Sequence, residues 1–309
     1  MKRLFAVIAL VLLPAYLHAV DTKSEVDRLF RQASSGEIRF QKLVQPSKDS
    51  LSAMGDSAAK YLAAKLDVTD AREKLTLVDI FRGIGKKSTP YLVAALKTDN
   101  KDQLRTTSRC LADIKDTAAI VSLMSITTHP DFTVRGEAIT AIGKSGGGEN
   151  TASLLAPMLS DSVDLVRKCV VYGLGAVKST ASLPLLIGAL DDESFAVRLC
   201  AYDAIASLDS LAHPQLIAAV GASAPERQKT LLIRLCGQLK IKAAKSTIQK
   251  ALEDSTATNR GWAVWAFARL DERGAKGKLE SMAKTETAPF VLSQIRDALA
   301  LLSTSKNYE

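Results

Sequence analysis

The stretch "DDESFAVRLCAYDAIASL", residues 191–208, contains the pattern that decides the fold. Two carboxylates, Asp191 and Asp192, precede Arg198 and Cys200 on a segment with helical spacing. An acid, a cation and a thiol on one helix would suit an active site if the arrangement occurred once. Recurrence of the pattern would instead indicate a structural element that the chain repeats.

The pattern recurs along most of the 309 residues. The position of Arg198, which we call the slot, comes back every 30 to 32 residues, and one further step back reaches Lys74. The slot residues are Arg105, Arg135, Arg167, Arg198, Lys229, Arg260 and Leu292. Self-similarity at a fixed period of this size is typical of solenoid proteins. A composition of 47% hydrophobic and 24% charged residues agrees with a folded chain that buries a continuous core.

Each repeat contains two predicted helices. Apolar residues recur at helical spacing on both sides of the "DDES" break (Leu183, Leu186, Ile187 and Leu190 before it; Val197, Ala201, Ile205 and Leu208 after it). No segment shows the alternation of a half-buried strand. A small residue eight positions after the slot, such as Gly175 or Gly237, lets neighbouring helices approach closely or ends the helix. The sequence therefore predicts an all-α protein.

The repeat resembles a known family. Pro184, Asp192 and the Val197–Arg198 pair are similar to the HEAT repeat, and "VRGEAITAIG", residues 134–143, resembles the short HEAT-like repeats named after phycobilin lyases. The resemblance covers residues 55–303 and implies a right-handed α-α superhelix of about eight helical pairs. Residues 20–54 are expected to form an N-terminal helical cap, and 304–309 a C-terminal tail. Slots at the two ends hold Lys74 and Leu292, as terminal repeats of solenoids commonly depart from the pattern.

An acid often lies six residues before the slot. An acid that recurs with an arginine in repeat after repeat cannot be a single catalytic pair, and it also suits the start of a helix. The resemblance to HEAT repeats implies that these residues form a structural ladder of Asp–Arg contacts between neighbouring repeats. The predicted ladder consists of Asp99, Arg105, Arg135, Asp161, Arg167, Asp192, Arg198, Asp254 and Arg260.

Residues 1–19 have the layout of a secretory signal peptide: Lys2 and Arg3, an apolar run to about Leu13, and the small Ala19. The apolar run is too short to span a bilayer, so no transmembrane segment is expected after cleavage. The alternatives are an uncleaved anchor or a buried helix. The sequence therefore predicts a periplasmic or secreted protein, and its formal net charge of +8 leaves binding to anionic envelope polymers open.

The four cysteines are Cys110, Cys169, Cys200 and Cys236, and no two form a CxxC pair. Cys169 and Cys200 occupy the same position in successive repeats. Packed helices lie about 8–10 Å apart, whereas disulfide-bonded Cα atoms lie within about 7 Å. We therefore expect unpaired thiols, although a disulfide remains an alternative because the protein is predicted to be exported.

Histidine is too scarce for the metal chemistry of related enzymes. The hydroxylase branch of the HEAT-like family binds iron through His-Glu dipeptides, yet neither His129 nor His213 precedes a glutamate, and His18 lies in the predicted signal peptide. No phosphate loop, nucleophile elbow or HExxH motif is present. The sequence predicts no catalysis, no metal and no cofactor. An enzyme or cofactor-assembly factor related to the lyases and hydroxylases is the alternative.

The remaining candidate is a binding surface on the second helix of each pair, which the resemblance to HEAT solenoids places on the concave side. Residues one, two and five positions after the slot are expected to face outward, because the core takes the positions one before and three, four and seven after. Tryptophan, tyrosine and arginine are enriched in binding hot spots. The predicted contacts are Trp262, Trp265, Arg234, Leu231, Tyr172 and Lys168. They predict a non-catalytic scaffold that holds a protein or peptide, not nucleic acid, unless the tryptophans only pack.

Overall fold

The computed structural model describes residues 22–270 and 274–304, and all regular secondary structure in these two ranges is helical. The predicted signal peptide, residues 1–19, lies outside the described residues, as do residues 305–309 of the predicted tail. No helix within the two ranges is both long and apolar enough to cross a membrane.

Eighteen α-helices follow one another in the described part of the chain. Their bounds are α1 22–34, α2 Val44–Ala53, α3 Asp56–Leu62, α4 Ala71–Ile84, α5 Thr89–Ala95, α6 Lys101–Ile114, α7 Ile120–Met124, α8 Phe132–Ser145, α9 Gly148–Leu155, α10 Asp164–Val177, α11 Leu183–Ala189, α12 Phe195–Ser207, α13 His213–Gly221, α14 Glu226–Gln238, α15 Lys245–Ala251, α16 Ala257–Leu270, α17 Ala275–Met282 and α18 Pro289–Thr304. Short 3-10 turns lead into most of the odd-numbered helices.

The helices alternate between a first helix, odd-numbered, and a second helix, even-numbered, that packs against it. The chain divides after Gly147 into two compact units, of which unit 1 contains α1–α8 and unit 2 contains α9–α18. Within each unit, successive second helices lie side by side, as α6 does with α8 and α14 with α16. The predicted all-α solenoid of helical pairs is confirmed.

The second helices bury the stripe that the sequence predicts. In α10, the residues one before and three, four and seven after the slot are fully buried, and all four are apolar (Val166, Val170, Val171 and Leu174). Gly175 and Gly237 lie inside their helices, where a Cβ atom would stand 2.9 Å from the Cβ of Ala204 and 2.7 Å from that of Ala266, respectively. Glycine at these two positions permits a close approach of neighbouring second helices.

Two features differ from the expectation. The stack of second helices includes α2, since α2 packs along α4 and Lys48 pairs with Asp79 one repeat later, so the segment predicted as a cap shares the repeat spacing. In α6 the slot is displaced: Arg105 is the fifth residue of its helix, whereas Arg135 and Arg167 are the fourth residues of theirs. One residue corresponds to about 100° of rotation in an α-helix.

Candidate functional site

Two rungs of the ladder in unit 2 are paired as the repeat pattern implies. The guanidinium of Arg167 donates two hydrogen bonds of 2.8 and 2.9 Å to the carboxylate of Asp192 in the next repeat. Arg260 meets Glu286 in the same way, also at 2.8 and 2.9 Å. Between them, the ammonium of Lys229 contacts the carboxylate of Asp254. Each rung therefore joins a slot residue to the turn of the following pair.

The slot arginines also bind their own turns. Arg167 and Arg260 each donate a 2.9 Å bond to the carbonyl six residues earlier, of Asp161 and Asp254 respectively. In unit 1, Arg135 does the same with the carbonyl of His129, at 2.9 Å. These bonds satisfy carbonyls where the first helix of a pair ends, which would otherwise lack partners. The arginines thus stabilise the repeat and its neighbour together.

The ion pairs shift the pKa values of the ladder groups. The hydrogen bonds that Arg167 donates hold the pKa of Asp192 below its usual range, and the same bonds raise the pKa of Arg167. The bonds from Arg260 lower the pKa of Glu286 to about 2. Charges held this firmly in their ionised forms are suited to structural pairing and are poor proton donors or acceptors at neutral pH.

The ladder departs from its prediction in two places. Asp99 is exposed and is not the partner of Lys74, which contacts Asp102 at 2.9 Å, while Arg105 reaches the same carboxylate only at 3.9 Å. The displaced slot in α6 explains both differences. At the second place, Ser223 stands six residues before Lys229, where most repeats carry an acid. In the described part of the chain, Arg198 donates only to the carbonyls of its own turn, at 2.7 and 2.9 Å.

Unit 1 contains a second ladder that sequence reasoning missed. Lys48 and Arg82 contact Asp79 at 2.7 and 3.2 Å, and Arg82 and Lys144 contact Asp113 at 2.6 and 3.5 Å. The pairs Lys48–Asp79 and Arg82–Asp113 are each separated by 31 residues, so the repeat period itself was the available signal. In unit 1, opposite charges therefore neutralise one another along the second helices.

The corresponding face of unit 2 is aromatic. The rings of Trp262 and Trp265 meet edge to face with their centroids 5.9 Å apart. The guanidinium of Arg234 lies 4.3 Å above the ring of Trp262 and 5.3 Å from that of Tyr202, and the guanidinium of Arg269 lies 4.2 Å above the ring of Trp265. We call these five residues the aromatic–arginine cluster. Contacts of this kind are worth about 0.5–2 kcal/mol each, depending on exposure.

The structure brings together three of the six predicted contacts. Trp262, Trp265 and Arg234 lie in the cluster and are half-buried. Leu231 is half-buried on α14, and Tyr172 and Lys168 are exposed on α10, without a ring contact to the cluster in the described part of the chain.

Other members of the region were missed or misplaced. Tyr202 occupies a core position by the helical rule, and its ring is buried while its hydroxyl donates a 2.6 Å bond to the amide oxygen of Gln238. Arg269 lies one turn beyond Trp265, so helical spacing alone could have found it. Gly261 was expected to face outward but is buried beneath the ring of Phe290, whose centroid lies 6.0 Å from that of Trp262.

A groove between α16 and α18 adjoins the cluster. Its volume is about 370 Å³. Its walls are mostly apolar, and its charged residues are Arg269 on one helix and Asp297 on the other. The lining residues are Trp262, Trp265, Ala268, Arg269, Gln294, Asp297, Ala298 and Leu301. A groove of this size, at the lower end of ligand sites of about 300–1,000 Å³, suits one large side chain or a short segment.

Four cysteines and two histidines lie in the described part of the chain. No disulfide joins the four cysteines, all of which lie in the described ranges. Burial raises the pKa of the Cys110, Cys200 and Cys236 thiols, which disfavours the nucleophilic thiolate. Within residues 22–270 and 274–304, no three His, Cys, Asp or Glu side chains are placed to hold a metal ion.

Comparison with known proteins supports the same architecture. A family model of HEAT repeats matches residues 89–171. A solved structure of the karyopherin Kap121p bound to the extreme C-terminus of the protein phosphatase Cdc14p is similar, with 11% identity, a TM-score of 0.56, and coverage of 92% of this chain and 38% of that one. Importin beta is similar at 14% identity and a TM-score of 0.55, over 96% of this chain and 48% of that one.

A third similar structure is the complex of CpcE and CpcF of phycocyanin lyase from Nostoc sp. PCC7120, with 17% identity, a TM-score of 0.39, and coverage of 79% of this chain and 94% of that one. No curated protein matches the sequence. Identities this low indicate a shared fold alone. The protein is an all-α solenoid of helical pairs, in which residues 89–171 match a model of HEAT repeats.

Proposed function

We propose that the protein is a non-catalytic scaffold or adaptor that holds a protein or peptide partner on the second helices of unit 2. The aromatic–arginine cluster is the observation that carries this proposal. Two indole rings and two guanidinium groups remain half-exposed or exposed there, although each ring already has neighbours within its own chain. Residues of these types supply most of the binding energy in protein interfaces.

The contrast between the two units supports this location. On the second helices of unit 1, Asp79, Arg82 and Asp113 satisfy one another, so a partner would have to break ion pairs to bind there. On those of unit 2, the partly exposed groups are rings with stacked cations and an apolar groove beside them. Burying such a surface releases water from apolar area without separating paired charges.

The comparisons add a precedent of the same fold. The karyopherin structure was solved with the C-terminal segment of another protein bound to it. This precedent shows what a helical-pair solenoid is able to do, and the cluster in the present chain is the feature that makes a bound segment our proposal for it. The low histidine content and the strongly paired carboxylates favour a scaffold over an enzyme. Stoichiometric iron or zinc in the purified protein would overturn this choice.

The partner is proposed to be met in the periplasm or outside the cell, since residues 1–19 have the pattern of a cleaved signal. Sequencing the N-terminus of the protein recovered from cells tests this step. Cleavage after Ala19 is expected, and a mature protein that retains Lys2 and Arg3 would contradict export by this route.

The binding proposal is tested by affinity capture from an envelope extract. The wild type is compared with Trp262→Ala plus Trp265→Ala, and with a control that removes exposed apolar groups from first helices, Val121→Ala plus Leu154→Ala. We expect the wild type and the control to recover the same partner, and the tryptophan variant to recover at least ten times less. Far-UV circular dichroism verifies that all three are folded. Equal recovery by all three would refute the proposed surface.

Salt separates the scaffold from a protein that binds anionic polymers through its net charge. Exposed charges are screened over about 10 Å at 0.1 M salt and about 3 Å at 1 M. Capture that depends on the tryptophans should persist at high salt, whereas capture through charge alone would be lost there in the wild type and in both variants.

A further inference from the structure

We infer that the partner segment recognised by the aromatic–arginine cluster is acidic, with carboxylates on either side of one large apolar side chain. This inference rests on the proposed function and specifies the chemistry of the ligand. It depends on how Arg234 and Arg269 are held, on the groove between α16 and α18, and on the cations that lie over the indole rings.

The two arginines are positioned to bind carboxylates. Each guanidinium lies over an indole ring, at 4.3 Å for Arg234 and 4.2 Å for Arg269, and neither forms an ion pair within residues 22–270 and 274–304. A guanidinium that stacks on a ring uses a face of its plane, while its five N–H donors lie at the edge of that plane. That edge is the part that binds a carboxylate through two parallel hydrogen bonds.

Their geometry sets the spacing of the ligand. Arg234 and Arg269 flank the tryptophan pair, and the steps from cation to ring, ring to ring and ring to cation measure 4.3, 5.9 and 4.2 Å. An extended peptide rises by about 3.3 Å per residue, so carboxylates no more than about four residues apart reach both guanidinium groups. The side chain midway between them then lies over the indole pair.

The groove accounts for the apolar group. It begins at Trp262 and Trp265, ends at Leu301 on α18, and holds 370 Å³. One aromatic or large aliphatic side chain fits this space. Among the described residues, Asp297 on the far wall and Asp203 on α12 are exposed carboxylates near the cluster, and they disfavour a third acid deeper in the groove or further along the face.

The stacked cations also argue against a sugar. Carbohydrates bind proteins largely by lying flat on an aromatic face, but a guanidinium already covers a face of each indole. The half-buried pair of indole rings therefore lies between two cations. Such a surface complements a peptide that combines negative charge with one apolar group.

The test uses synthetic pentapeptides and the intrinsic fluorescence of the full mature chain. Both tryptophans of the protein lie in the cluster, so every change in tryptophan emission reports on this site. The probe is blocked Glu-Ala-Phe-Ala-Glu, and the controls are Lys-Ala-Phe-Ala-Lys and Glu-Ala-Ala-Ala-Glu. We expect saturable quenching by the probe with a dissociation constant at least ten times lower than either control gives. Isothermal titration calorimetry provides the affinity independently of the fluorophore.

The matched variants test the two arginines. The double variant Arg234→Gln plus Arg269→Gln should bind the probe at least tenfold more weakly. The control Arg227→Gln plus Arg296→Gln removes the same charge from exposed positions of α14 and α18, and its affinity for the probe should stay within about twofold of the wild type. Three results would each overturn the inference that the segment is acidic: an equal loss of affinity in both double variants, equal binding of the lysine peptide, or no saturable binding of the probe. Capture that still depends on the tryptophans would then leave the proposed function standing.

Discussion

Replacing Glu286 by glutamine removes the carboxylate that pairs with Arg260 while keeping the size of the side chain. The carboxylate is only 6% exposed, and the bonds from Arg260, together with the backbone N–H groups of Ala288 and Thr287, lower its pKa from 4.5 to about 2. One pKa unit corresponds to about 1.36 kcal/mol, so the linked free energy is about 3 kcal/mol. Glutamine still accepts hydrogen bonds, so we expect a loss of about 2 kcal/mol in the free energy of unfolding at pH 7.

The pH dependence makes this prediction specific to the charge. Because the pKa of Glu286 is lower in the folded state, its contribution is complete above about pH 4.5 and is lost as the pH falls toward 2. More than half of the difference between wild type and variant should be gone by about pH 3. Urea unfolding followed by circular dichroism at pH 7 and pH 3 measures both values.

The matched control is Glu253→Gln, which removes a carboxylate that is 74% exposed and lies 3.1 Å from the ammonium of Lys278. An exposed pair of this kind contributes at most about 1 kcal/mol, and we expect less than half of that. A loss at Glu286 that is the same at both pH values, or no larger than the loss at Glu253, would refute the reasoning.

Two further predictions concern packing and thiol reactivity. Gly237→Ala places a Cβ atom 2.7 Å from that of Ala266 and should lower the free energy of unfolding by about 1–3 kcal/mol. Gly188→Ala, in open surroundings, should raise it by up to about 1 kcal/mol. Thermal unfolding of the two variants checks that the changes have opposite signs. Burial raises the pKa of Cys236 to about 12, so iodoacetamide at about pH 8 should modify the half-buried Cys200 before Cys236. Mass spectrometry of the folded protein that finds Cys236 labelled before Cys200 would contradict this.

The repeat period and the helical spacing predict most of the architecture. Stripes such as Val166, Val170 and Leu174 are buried where the spacing places them. The register of α6 could not be predicted in this way, because its start depends on a cap: the side chain of Asn100 accepts from the N–H groups of Asp102 and Gln103. The cap sets the first helical residue and moves Arg105 one position along the helix.

The candidate site was predictable in part for a similar reason. Helical spacing places Trp262 and Trp265 on one face of α16, but it says nothing about neighbours from other repeats. Arg234 contacts Tyr202 on α12 as well as Trp262 on α16, because its long side chain reaches across the helix that carries it. Contacts that depend on side-chain reach between repeats require the coordinates.

Ser223 has a consequence for how unit 2 comes apart. In a solenoid, stability is approximately a sum of terms for each repeat and for each boundary between neighbours. Arg198 pairs with no acid among the described residues, so the boundary between α12 and α14 lacks a term that Arg167 and Arg260 supply at other boundaries. The helices α13–α18 are thus expected to melt as a cooperative block of their own, which carries Arg234 and both tryptophans. The hydrogen bonds from Tyr202 to Gln238 and from Gln228 to the carbonyl of Ile187 cross this boundary and break with it.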